Sequence, residues 1–143
     1  MNAPLEMCAG LRSVFESHSM RTLDMRIVEA GDGFAKGRWL PPDCLLNGNG
    51  VVQGGFVGAA CDQMMAAAIA SAVGTQKFAS INLQMTYHRA VGQEEYEVTA
   101  QLVRAGKRLA YLTAEVRRGD DLFVSCQSSL MLQGERPDPS ETP

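Results

Sequence analysis

The stretch NGNGVVQGGFVGAACDQMMAAAIASAV, Asn47 to Val73, decides how the rest of this sequence is read. From Cys44 to Gln76 the only Asp, Glu, Lys, Arg or His is Asp62. A run of about 20 residues from Gly54 to Val73 is long enough to cross a bilayer. It is built of Ala and Gly rather than Leu and Ile, no basic cluster flanks it, and a central Asp costs about 2.5–3.5 kcal/mol on insertion. The expectation is therefore a helix buried in a protein core. An unpartnered buried carboxylate is costly, so Asp62 must be satisfied by neighbours or face a cavity. In a cavity it can work as a base or nucleophile.

Composition narrows the class. The chain has 143 residues, with 45% hydrophobic and 20% charged residues, enough for one domain with a real core. A net charge of -3 and scattered basic residues, paired only as in Lys107-Arg108 and Arg117-Arg118, argue against nucleic acid as a partner. Cys8, Cys44, Cys61 and Cys126 form no CxxC pair and lie at no metal-ligand spacing from a His, so no metal is expected. No basic region followed by an apolar one opens the chain. Reduced thiols and a cytoplasmic location are the simplest expectation.

Outward from the central segment, periodicity sets the element order. Leu5, Cys8, Leu11 and Phe15 predict an N-terminal helix over 4–20. Leu23, Met25 and Ile27 alternate up to Gly31-Asp32-Gly33 and the pattern resumes towards Trp39, which predicts a hairpin. A Gly- and Asn-rich loop, Cys44 to Val52, then feeds the long helix. In SINLQMTYHRA, strict alternation puts Ile81, Leu83, Met85 and Tyr87 on one face, with Ser80, Asn82, Gln84 and Thr86 on the other. Three further long strands follow, around turns at Gly106-Lys107 and Gly119-Asp120-Asp121. The expectation is α+β: one domain over 1–133, a long central helix wrapped by an antiparallel sheet of five to six strands, and a frayed tail over 134–143. Such a sheet leaves an edge to cover, and self-association would cover it.

Two glycines, Gly54 and Gly55, open the helix, where backbone N–H groups lack intrahelical acceptors and suit a developing oxyanion. With Asn47, Gly50, Gly54, Gly55 and Asp62 at their spacings, the sequence resembles the hotdog-fold acyl-CoA thioesterases of the PaaI-like branch, over roughly Leu23 to Leu132. Ser80 matches that family's Ser or Thr early in the next strand, and TYHRAVGQ its aromatic-basic-Gly segment. The family's motif His is Gln53 here, whose amide can donate a hydrogen bond but cannot titrate.

The resemblance implies a hotdog fold and hydrolysis of an acyl-CoA to free acid and coenzyme A. Asp62 would be general base or nucleophile, the Gly54 N–H with Gln53 would polarise the carbonyl, and Asn47 and Ser80 would position water or the carboxylate. It implies a homodimer or homotetramer with sites between subunits: Asn47, Gln53 and Gly54 of one face Asp62 and Ser80 of the other. It also implies no metal and no cofactor, coenzyme A being part of the substrate. Gly55, His88, Arg89, Lys107 and Arg108 are candidate coenzyme A contacts.

Other readings have less behind them. A hotdog dehydratase would need a catalytic His, and only His18 and His88 are present. No GxSxG elbow or Walker-type loop appears. Cys61 points about 100° away from Asp62 on a helix, with no His to activate it. A non-catalytic binder of acyl or aromatic ligands is the alternative, made plausible by the missing His. Phe56, Met64 and Met65 are candidate pocket residues.

Overall fold

The computed structural model describes residues 7–74 and 77–133. The expected tail over 134–143 and the first residues of the expected N-terminal helix lie outside them. α3 (Gly54–Val73) is the central helix, and ten of its residues are buried. Its length and composition would suit a membrane span, yet it lies packed inside the sheet as a core helix.

Ahead of it, α1 (Ala9–Phe15) and α2 (His18–Leu23) replace the single helix expected over 4–20. The break falls at Ser17, whose hydroxyl accepts from the Met20 N–H at 3.4 Å as the N-cap of α2. The same oxygen accepts from Gln63 of α3 at 3.0 Å, so one hydroxyl both starts α2 and docks it on α3. β1 (Met25–Gly31) and β2 (Phe34–Trp39) form the expected hairpin. Asp32 and Gly33 both adopt positive φ, 50° and 83°, the two-residue turn whose twist suits a hairpin. Trp39 ends β2 fully buried, its indole N–H donating to the Leu23 carbonyl at 2.8 Å.

Beyond α3 come β3 (Lys77–Ser80), β4 (Gln84–Tyr87), β5 (Tyr96–Ala105), β6 (Leu109–Arg118) and β7 (Asp121–Gln133). All pairings are antiparallel, in the order β1-β2-β5-β6-β7-β3, with β4 also on β7. Seven segments thus occupy six positions in the sheet. Register shifts near Val28, Val103 and Arg117 mark bulges that curl it around α3. This is the α+β hotdog architecture that the sequence predicts.

The edge strand departs from the sequence expectation. Ser80 pairs with Leu130 and Gln84 with Gln127, so the edge advances four residues while β7 advances three. One extra residue is held in a bulge over Ile81–Leu83. The Ile81 N–H donates to the Ser129 carbonyl at 2.8 Å, the Asn82 side chain accepts from the Ser129 N–H at 2.9 Å, and the buried Ser128 hydroxyl donates to the Asn82 carbonyl at 2.7 Å. Strict alternation would put Ser80 on the face opposite Met85 and Tyr87. The bulge resets the phase, so Ser80, like Met85, sits opposite a residue of β7 whose side chain is in the core.

α1 docks on the far end of α3. Cys8 donates to the Ala70 carbonyl at 3.3 Å, and Gly10 lies so close that a Cβ there would run into the Gly74 carbonyl oxygen. Backbone cannot yield as a flexible side chain would, so Gly10→Ala should lower stability by about 1–3 kcal/mol. A shifted urea midpoint with unchanged slope would record this; a wild-type midpoint would mean that α1 does not dock so tightly.

Candidate active site

The strand pair β3–β4 runs antiparallel along α3, and the contacts between them form successive rungs. Tyr87 meets Gly54, Leu83 and Met85 meet Gly58, and Ser80 meets Asp62. Glycine eases this approach: a Cβ on Gly58 would lie 3.3 Å from Leu83, and one on Gly54 would stand 3.0 Å from the Tyr87 hydroxyl, close enough that either side chain would have to shift.

The Ser80 hydroxyl donates to Asp62 Oδ1 at 3.0 Å. Asp62 is half-buried and Ser80 exposed, so the carboxylate sits at the margin of the core with one hydroxyl partner. Its second oxygen accepts no hydrogen bond among the described residues. Gly55, Ala59 and Ala66 continue the same partly open face of the helix, all small, so the acid stands in an apolar trough. A carboxylate held by one donor, with its other oxygen free, can accept a proton or attack a carbon.

At the helix start, the Gln53 N–H donates to the Leu45 carbonyl at 2.9 Å and the Val52 N–H to the Val91 carbonyl at 2.8 Å, which fixes the chain where it enters α3. The Gln53 side chain is exposed and forms no cap. The Gly54 and Gly55 N–H groups find no acceptor among the described residues, at the positive end of a 20-residue helix. Asn47 lies in the preceding loop. Its side-chain oxygen accepts from the Asn49 and Val51 N–H groups at 2.9 and 3.4 Å, which leaves its amide donors outward. Gly50, with φ 77°, closes that loop.

Tyr87 belongs to the site's frame although the motif reading gave it no role there. Its hydroxyl donates to the Gly54 carbonyl at 2.7 Å, which pins the peptide next to the free N–H groups. Desolvation against the helix, with the Cys61 and Cys126 sulfurs nearby, raises its pKa and keeps it a donor. Its place on one strand face with Met85 was the available signal.

The basic candidates do not gather in one place. His88 bonds Ser125 at 2.9 Å, and Arg89 lies 3.5 Å from Asp121 and over the Phe123 ring. The Arg108 carbonyl accepts from Leu132, so Lys107 and Arg108 sit at the opposite end of β7, about 30 Å away along the strand. Lys107 and Arg108 form no ion pair among the described residues. His18 is 2.8 Å from Arg21 on α2. Cys61 is fully buried; a hydrogen bond to Cys126, then burial and the nearby Asp62 charge, hold its thiol well above the usual range. Met64 and Met65 are core residues, while Phe56 is exposed. No group of three or more His, Cys, Asp or Glu able to hold a metal occurs among the described residues.

Comparison with known proteins bears on the fold and the family. The chain superposes on the conserved protein PA5202 of Pseudomonas aeruginosa with a TM-score of 0.80 and 29% identity, over 85% of this chain and 98% of that one. It shares the fold of Escherichia coli PaaI, from the phenylacetic acid degradation operon, with a TM-score of 0.77 and 18% identity, over 83% and 86% of the two chains. A hypothetical thioesterase of Streptococcus pneumoniae solved with coenzyme A gives 0.74 and 15%, over 82% and 92%. A search of curated proteins found no match. The model of the thioesterase superfamily matches residues 49–125, more than half of the sequence and the part that holds Gln53, Gly54, Asp62 and Ser80: this chain belongs to the thioesterase superfamily.

Proposed function

We propose that the protein hydrolyses an acyl-CoA thioester to the free acid and coenzyme A, at sites completed by a second copy of the chain. The observation that carries the reading is the Asp62–Ser80 pair, a hydrogen-bonded carboxylate at 3.0 Å on a helix otherwise free of charge. Superfamily membership and the fold shared with a coenzyme A-bound thioesterase support it. Asp62 takes a proton from water, whose oxygen attacks the thioester carbon. The carbonyl electrons move onto oxygen, which the Gly54 N–H and the Gln53 amide stabilise. The oxyanion then re-forms the carbonyl, the C–S bond breaks, and the sulfur leaves as a thiol with the proton that Asp62 had taken. Direct attack by Asp62, through a mixed anhydride that water later cleaves, is the alternative route on the same groups.

Geometry argues for two chains. Gly54 and Asp62 are eight residues apart on one helix, about 12 Å along its axis. Near-attack geometry puts reacting atoms within about 3–3.5 Å, which favours an Asp62 brought to that thioester by a second chain. Phe56, Ile81, Leu83 and Tyr87 leave an exposed apolar surface along these rungs, which a second copy would cover. Asn47 and Gln53 would come with Gly54 from one chain, and Ser80 with Asp62 from the other. Coenzyme A phosphates would fall to exposed cations such as Lys107 and Arg108, with Gly55 near the thioester; His88 and Arg89, already engaged by Ser125 and Asp121, are second choices. A non-catalytic acyl binder is the competing reading, favoured by the non-titrating Gln53.

Asp62→Asn should cut thiol release from acyl-CoA by ~10²–10⁴-fold while leaving the fold intact. Wild-type protein that releases no thiol from acetyl, long-chain or phenylacetyl thioesters would establish the binder instead. Gly54→Pro deletes one N–H at the first helical position, where proline is tolerated, while its added Cβ makes the Tyr87 side chain shift by a few tenths of an ångström. Co-expressing it with Asp62→Asn should restore about a quarter of wild-type activity, because mixed dimers carry one complete site; no restoration would put the site within one chain. The raised Cys61 pKa means little thiolate at pH 8, so iodoacetamide should label exposed Cys44 well before Cys61. Rapid labelling of Cys61 with loss of activity would reopen the thiol mechanism.

A further inference from the structure

We propose that the cleft between α1 and β3 is the subsite for a medium-length apolar acyl chain; this rests on the thioester chemistry proposed above. The cleft is about 430 Å³ and is lined by Ala9, Gly10, Ser13 and Val14 from the helix, by Lys77 and Phe78 from β3, and by Gln133 at the end of β7. Three features tie it to the acid.

The first is continuity. Phe78 lies on the same strand face as Ser80, its pairing partner Leu132 being buried like Leu130 opposite Ser80. Two residues of strand separate them, about 6.6 Å, so a chain anchored by its thioester carbon at Asp62 reaches Phe78 a few methylenes on. On the helix side Ala59, Asp62 and Ala66 share one face, and Ala70, one turn beyond Ala66, is the residue against which Gly10 packs.

The second is chemistry. The lining is small and apolar on the α1 side, with Phe78 and Val14 half-buried against the core. The clefts on the outer face of the sheet, of about 350 and 220 Å³, are lined mainly by Gln, Thr, Ser and Glu side chains, with Ala114 shared between them and Phe34 at one end, and neither reaches Asp62.

The third is preorganisation. Cys8 holds α1 to the Ala70 carbonyl, and Gly10 sits against the Gly74 carbonyl, so the wall facing Phe78 is fixed before any ligand arrives. A short acyl group such as acetyl stops at Ser80, whereas a longer chain gains the apolar burial of the cleft.

The test is calorimetric titration with S-decyl-coenzyme A, a thioether that cannot be hydrolysed, against coenzyme A alone. Wild type should bind the decyl compound at least ~10-fold more tightly than coenzyme A, and Val14→Trp, which fills the cleft, should remove at least ~10-fold of that advantage. Ser13→Leu, a milder filling substitution, should remove part of it, and serves if the Trp variant does not fold. No decyl advantage in wild type, or an advantage untouched in folded variants, would overturn the subsite. Because the probe does not react, absence of turnover on every acyl-CoA would sink the thioesterase reading while this result stood separately.

Discussion

The structure depends on how closely one strand pair can lie along one helix. β3 and β4 come into contact with α3 at three levels, and at two of them the helix residue is glycine, where any Cβ would press on Tyr87 or Leu83. That closeness joins Ser80 to Asp62 and Tyr87 to Gly54. A bulkier helix would hold the edge strand off and leave the carboxylate without its hydroxyl. The alanine- and glycine-rich composition of the helix is thus a requirement of the site as well as of the core.

The same helix imposes a second constraint, since it carries the free N–H groups at its start and the acid two turns later. Straight helical geometry holds them about 12 Å apart along the axis. On the reading proposed above, each rod supplies one of the two groups to a substrate shared with another rod. The exposed apolar side chains beside both groups give association a driving force in the region where the chemistry would need it.

Much of this was legible in the sequence. The Asp-Gly turn predicted the hairpin, the apolar run with its single acid predicted the core helix, and period-two patterning predicted β5 to β7. The pairing of Ser80 with Asp62 was expected from resemblance alone, since simple alternation turned Ser80 the wrong way. Bulges are hard to read from one strand, because the extra residue is defined only against its partner in β7. The break at Ser17 was hidden because apolar spacing runs on through it, and the second bond of its hydroxyl comes from Gln63, remote in sequence. Tyr87 escaped as a site residue because its partner is a backbone carbonyl, which leaves no mark in side-chain chemistry.

The bulge at Ile81–Leu83 also divides the edge strand into two numerical parities. Before it, even-numbered side chains point inward, as Phe78 and Ser80 do; after it, odd-numbered ones do, as with Met85 and Tyr87. Evolution can therefore tune the acid's neighbourhood and the helix-start neighbourhood through opposite sets of positions. Losing one residue between them would leave either half well formed but turn the other inside out. A single-residue deletion here is accordingly a far larger event than any substitution on the strand, and a relative lacking that residue would need a different partner for its acid.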